Sequence, residues 1–299
     1  MSQKAMIVPI IRKKGLSIDD FRAYWRAVHG PIAARLTGVG FYEQIHLDHS
    51  EHTFGKGDDT YGAEQLDGIA ILGFHSQVQL DAYRGVASVM QNDEANVFSF
   101  AARYEIAPEI APDIVSESGA PASKHLPSAP VWPPIIQNRQ GQIVVLQRHG
   151  NVQDDAAQIQ FRNEVSGLIA RYNAEMNTTD VWVHFVEPRE TSVAPDANID
   201  RFTPGERQFQ ALIRLGDEKG ARFASLISQL TRLESVKFGR VCQIAASYLF
   251  VIDDKITLFA LRGGEAEDLI TRLGATNQRS LGISKLFAPD ERLGDQSVE

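Results

Sequence analysis

Seven of the 13 prolines in this chain of 299 residues stand between Ala107 and Gln140: Pro108, Pro112, Pro121, Pro127, Pro130, Pro133 and Pro134. Each ring locks φ and deletes a backbone donor, so neither a helix nor a central strand can run through them. Residues 108–140 therefore read as an extended linker that divides the chain. Residues 1–107 make one unit and 141–255 a second, with 256–299 as a C-terminal βα extension.

The two units share an order of elements. In the first, Ala5–Ile11 is a short apolar run rich in β-branched residues, hence a strand. Ser17 caps a helix whose first turn holds Asp19 and Asp20, where negative charge suits the helix dipole. Phe21, Trp25, Val28 and Ile32 follow at spacings of three and four, one apolar helix face. Gly30-Pro31 interrupts that helix and Gly38 ends it. Val39–Asp48 alternates as a second strand, Asp67–Phe74 is a third, Gln77–Val97 a helix and Phe98–Ile106 a fourth strand. In the second unit Gln142–Arg148, Asp180–Glu187, Arg207–Leu215 and Val241–Val251 read as strands, with helices at Asp154–Tyr172 and Glu218–Leu233. The extension adds a strand at Ile256–Leu261 and a helix at Glu265–Leu273. The order β-α-β-β-α-β occurs twice, so the expected class is α+β, built of two tandem ferredoxin-like units. Each unit has helices on one sheet face only. The two bare faces can cover each other and enclose one interior within a single chain.

Charge and cysteine content exclude several functions. Thirty Lys and Arg against 38 Asp and Glu leave a net charge of −8, which argues against a nucleic-acid partner. The single cysteine, Cys242, excludes an internal disulfide and a multi-cysteine metal site, and reads as an inert core thiol. The N-terminal apolar run is too short for a signal peptide or a membrane span. A cytoplasmic protein with no membrane partner is expected.

Histidine is the natural acid/base of the remaining residues, because its pKa lies near working pH. His29 sits at the expected helix break, either as a proton-transfer group or as a structural cap. Alternation along the second strand puts Tyr42, Gln44 and His46 on one face and Phe41, Glu43, Ile45 and Leu47 on the other. The apolar set suits the helix side, so the polar set would point into the interior. Polar groups there must meet a ligand, water or each other; otherwise the face is solvated. His46 is then the leading acid/base, Tyr42 a proton donor or anchor, and Gln44 a substrate-binding group. On the third strand Asp67, Ile69, Ile71, Gly73 and His75 share a face, although Asp67 can equally meet solvent and His75 can start a loop. In the second unit Trp182, His184 and Val186 share a face, making His184 the pseudo-symmetric partner of His46. Tyr248 is a similar candidate on the last strand, while Tyr24 and Trp25 read as core. His46, His49 and His52 recur every three residues, but a strand running into a loop does not bring them to one side, so no metal is expected. Arg262-Gly263-Gly264 lacks the spacing of a nucleotide-binding loop. Asn177-Thr178-Thr179 is a glycosylation sequon only in a secreted protein.

The segment FRAYWRAVHGP, Phe21–Pro31, carries an aromatic pair on a helix that ends in His-Gly-Pro. With GLSIDDF before it, DGIAILGF at Asp67–Phe74 and QNDEANVF at Gln91–Phe98, residues 4–107 resemble the EthD family of the dimeric α/β-barrel superfamily. The second half follows by element order alone, having neither Tyr-Trp nor His-Gly-Pro. Third strands of that family often carry an acidic residue and a Trp where this chain has Ile71 and Gly73. The difference implies a roomier, more apolar interior and makes Ile71 a substrate-lining candidate. The resemblance implies a cofactor-free barrel with a hydrophobic lumen. Enzymes of the family include dehydratases, cyclases and decarboxylases of polyketide-like or other aromatic compounds.

The resulting expectation is a cofactor-independent lyase acting on a hydrophobic aromatic or phenolic small molecule, by dehydration or decarboxylation. A histidine would move the proton while Tyr42 and Gln44 hold an oxygen, with Trp182, His75 and Tyr248 lining the substrate. A non-catalytic carrier of a hydrophobic metabolite is the rival. Convergence of Tyr42, His46 and His184 in one cavity favours the enzyme, and an apolar lumen favours the carrier. A haem-dependent barrel enzyme, with His184 facing the lumen, is a third reading. Whether the whole chain also forms a homodimer is left open.

Overall fold

A computed structural model describes residues 4–55, 66–106, 141–150, 154–176, 181–187, 208–216, 223–252, 254–260, 262–280, 283, 286 and 287. The linker expected over 108–140 and the Asn177 sequon lie outside these residues. The described strands are β1 (Lys4–Arg12), β2 (Phe41–Gly55), β3 (Gly68–Phe74), β4 (Phe98–Ala101), β5 (Tyr104–Glu105), β6 (Gln142–Arg148), β7 (Val181–Phe185), β8 (Ala211–Leu215), β9 (Val236–Ile252) and β10 (Lys255–Ile256). The helices are α1 (Ile18–Tyr24), α2 (Gly30–Ala33), α3 (Gln77–Val86), α4 (Ser88–Val97), α5 (Asp155–Met176), α6 (Ala224–Leu230) and α7 (Gly264–Arg272). A π turn, Trp25–His29, joins α1 to α2.

The fold is mixed α/β with one antiparallel sheet, whose path is β4-β1-β3-β2-β9-β6-β8-β7. The first half of the chain contributes the order β4-β1-β3-β2 and the second β9-β6-β8-β7, the same permutation of strands. The seam between them is the long pairing of β2 with β9, running from Phe41↔Ile252 to Gly55↔Phe238 with register shifts. At the far ends of the path, Ile106 forms a bridge with Val186, and Glu187 N–H donates to the Glu105 carbonyl at 2.9 Å.

Three apolar clusters follow from this layering. Phe21, Trp25, Val28 and Ile32 of the first helical layer pack on Met6, Val8, Tyr42, Leu72 and Phe250 of the sheet. Phe161, Val165 and Leu226 do the same on Val144 and Ile213 in the second half. On the opposite sheet face Ile7, Phe41, Ile45 and Ile71 meet Ile143, Val145, Leu212 and Ile244. Leu269 and Ile270 of α7 join the first cluster, so the C-terminal extension lies over the first half rather than the second.

Several boundaries differ from the sequence expectation. Gly30-Pro31 does not break the first helix. Pro31 has no N–H to give the carbonyl four residues back, and the helix widens there instead, Gly30 N–H reaching the Trp25 carbonyl in a π turn. The expected helix Gln77–Val97 is two, α3 and α4, parting at Ala87, and the expected strand Phe98–Ile106 is β4 and β5. Ile256–Leu261 is a strand only at its start; Leu258–Ala260 forms a 3₁₀ turn. Among the described residues no helix is long and apolar enough to cross a membrane.

The faces of β2 are the reverse of the expected ones. Tyr42 belongs to the helix-side cluster, whereas Phe41, Ile45 and Leu47 lie on the face turned away from the helices. On the helix side the polar set finds a backbone partner, the Trp25 carbonyl, which accepts Gln44 Nε2 at 2.8 Å. Glu43 lies on the inner face. It is matched there by Arg214 Nη1 at 2.9 Å and by the Ser247 hydroxyl.

Candidate functional site

The π turn places two groups that an uninterrupted α-helix would set differently. Its widened ring exposes the Trp25 carbonyl, which accepts Gly30 N–H and also Gln44 Nε2 at 2.8 Å. The turn ends on His29, buried beside Phe98 with ring centroids 5.1 Å apart. π turns of this kind concentrate at functional sites.

His29 faces a carboxylate. Its Nδ1 lies 2.6 Å from Asp93 Oδ2, and Asp93, on α4, is fully buried. Asp93 Oδ1 accepts the Tyr24 hydroxyl at 2.7 Å, Asn96 Nδ2 at 3.3 Å and the Gln278 amide. With the carboxylate acting as acceptor throughout, His29 Nδ1 is the donor, and in the neutral imidazole the lone pair is on Nε2. Burial, with Asp93 beside it, pushes the Tyr24 phenol far up, so it stays protonated. An imidazole oriented by a buried carboxylate is the arrangement of a general base.

A second polar group lies on the same side of the sheet. Gln44 Nε2 donates to the Trp25 carbonyl and to the Tyr42 oxygen at 2.9 Å, which leaves Oε1 to accept from His46 Nε2 at 3.2 Å. The His46 ring stacks on Trp25 at 4.5 Å and meets the edge of Tyr248 at 5.0 Å. Burial, reinforced by the Arg22 and Arg26 guanidiniums, pushes His46 down to about 3. It is therefore neutral at ordinary pH. Burial also pushes the Tyr42 phenol well up.

The structure thus brings Tyr42, Gln44, His46 and Tyr248 into one contacting group on the helix side of the sheet, with His29 joined to it through Phe98 and Trp25. It does not bring in the others. Ile71 belongs to the inner cluster, on the opposite face from Tyr42. On β7, Val181, Val183 and Phe185 pack toward the helices, so Trp182 and His184 face the other way. His184 is not the counterpart of His46, because the two histidines lie on opposite faces of the sheet. Burial, with Arg214 nearby, pushes His184 down to about 4. His75 pairs with Asp254 at 3.0 Å at the sheet end, and Asp67 is bonded to Arg12 through both backbone and side chain. The side chains of His49 and His52 lie outside the described residues. Among those described, no group of three His, Cys, Asp or Glu is placed to hold a metal.

Sequence reasoning missed Asp93, Gln278 and the role of Tyr24. Asp93 stands inside QNDEANVF, but its partners lie 64, 69 and 185 residues away, beyond any local pattern.

Residues 13–101 match the EthD domain. No curated protein matches the sequence significantly. Among solved structures, the fold overlaps an arginine-to-lysine variant of chlorite dismutase from Candidatus Nitrospira defluvii at 9% identity and a TM-score of 0.43, covering 92% of this chain and 95% of that one. It also overlaps a haem-binding protein from Thermus thermophilus at 10% identity and a TM-score of 0.37, covering 81% and 92%. Likeness at this level assigns no reaction to this chain.

Proposed function

We propose that this protein is an acid–base enzyme, a lyase acting on a hydrophobic small molecule, and that His29 moves the proton in place of His46. The observation that carries the reading is the buried Asp93–His29 contact of 2.6 Å at the end of the π turn. Asp93 fixes the tautomer and ring plane, and the partner of His29 Nε2 is the substrate. In a dehydration, Nε2 takes the proton from a carbon next to a carbonyl. The C–H electron pair becomes the new double bond, the C–O bond breaks, and the proton follows the departing hydroxide to form water. Tyr24, kept protonated, steadies Asp93. His46, neutral and enclosed by Trp25 and Tyr248, shapes the aromatic surroundings with Tyr42 and Gln44. On this reading the two halves are tandem ferredoxin-like units that close one intramolecular barrel, a view supported by the β2–β9 seam and the Ile106–Val186 bridge.

The test is turnover of a panel of β-hydroxy ketones and hydroxybenzoates by the purified chain, followed by absorbance and by release of water or carbon dioxide. His29→Gln and Asp93→Asn are each expected to lower kcat by about a hundredfold. An undiminished rate in His29→Gln rejects the assignment. Binding of the panel without conversion favours the carrier, and a Soret band on titration with haem favours the haem enzyme.

A further inference from the structure

We infer that the C-terminal extension is part of the proton-transfer site, with Gln278 and Arg262 as positioning residues that set Asp93 and, through it, His29. The inference rests on the reading of His29 and Asp93 as the reacting pair. Gln278 lies in the 3₁₀ turn Thr276–Arg279 and is 2% exposed. Its Nε2 donates to Asp93 Oδ1, while its Oε1 accepts from Arg262 Nη2 at 2.9 Å. Arg262 can only donate, so it fixes which end of the amide faces the carboxylate. The guanidinium itself lies over the Phe287 ring at 4.9 Å.

The neighbouring residue clips the turn to α4. Asn277 Oδ1 accepts from Asn96 Nδ2 at 2.9 Å, and Asn277 Nδ2 donates to the Asn92 carbonyl at 2.7 Å, one on each side of Asp93. Those bonds tether the turn and are solvent-exposed. The Gln278 amide is different, because a buried donor costs free energy unless its acceptor is in place. Donors on Oδ1 stop the carboxylate from turning about its own bond and leave Oδ2 to receive the imidazole. Without Gln278, Oδ1 keeps Tyr24 and a long contact to Asn96, the carboxylate gains freedom, and the Nδ1–H bond loosens.

The experiment is proton NMR of the full chain, reading the downfield resonance of His29 Nδ1–H, assigned by its loss in His29→Gln. Gln278→Met preserves side-chain volume and removes the donor; Arg262→Gln is the second variant, and Arg262→Lys the conservative one. Gln278→Met and Arg262→Gln are expected to move the resonance upfield and to speed its exchange with water by about tenfold, as one buried hydrogen bond is lost. Arg262→Lys is expected to retain it. In parallel kcat should fall by about tenfold with KM little changed. A resonance with wild-type position and exchange in folded Gln278→Met overturns the inference. If the resonance moves but no panel substrate is turned over by any form, the positioning holds and the assigned reaction is what fails.

Discussion

His46 and His184 are two imidazoles that the folded chain holds neutral, at about 3 and about 4 against an ordinary 6.5. The unfolded chain binds protons that the folded one refuses, so unfolding takes up protons below the ordinary value. Their contribution to stability is whole above about pH 6.5 and is lost as pH falls from there toward 4 for His184 and 3 for His46. Each histidine sets a slope of at most about 1.4 kcal/mol per pH unit. Urea titrations at pH 7, 6 and 5 should show a falling midpoint. His46→Gln should show a shallower fall, by one proton's worth, and an unchanged slope in that variant contradicts the assignment. This window also limits His46 as a catalyst: a group that protonates only near pH 3 is a weak base at neutrality.

The start of α2 and the paired strands β2 and β9 approach so closely that no side chain fits at Gly30. A Cβ there would overlap the Phe250 ring and come within 2.9 Å of Gln44 Nε2. Gly30 has ordinary helical φ, so the need for glycine is space and not conformation. Gly30→Ala is expected to cost about 1–3 kcal/mol through overpacking, read as a lower urea midpoint; wild-type stability would mean the layers can part freely. The same contact explains what the sequence could convey. Alternation sorted β2 correctly into Tyr42-Gln44-His46 and Phe41-Glu43-Ile45-Leu47, and β6 has the bounds read from the sequence, Gln142–Arg148. Alternation names two sets without naming their directions. On the helix side Gln44 meets the Trp25 carbonyl of the π turn, and a period of 3.6 residues carries no sign of that partner. The helix signature pointed to His29, but Asp93 is recognisable only once α4, α1 and the C-terminal turn are in place.

At the scale of the molecule, Glu43 and Arg214 form a buried ion pair, 2.9 Å long, between strands of the two halves, and the two residues are 171 positions apart. Removing one partner strands the other, so Glu43→Gln is expected to cost about 3–5 kcal/mol, whereas Glu43→Leu with Arg214→Met should come close to wild type. Urea unfolding of the two singles and the double checks this; additive losses would mean the pair is not coupled. Because β2 and β9 are one ladder, both halves should unfold in a single transition. That ladder has a second consequence. Were the halves separate chains, the seam would obey mass action and loosen on dilution; joined in one chain, it does not depend on protein concentration. Identical subunits would also have to carry identical helices. Here the helix after β1 has a widened turn ending in His29, while α5, which follows β6, runs as a helix of 22 residues. One order of strands occurs twice along the sheet, whereas among the described residues the π turn that carries His29 occurs once.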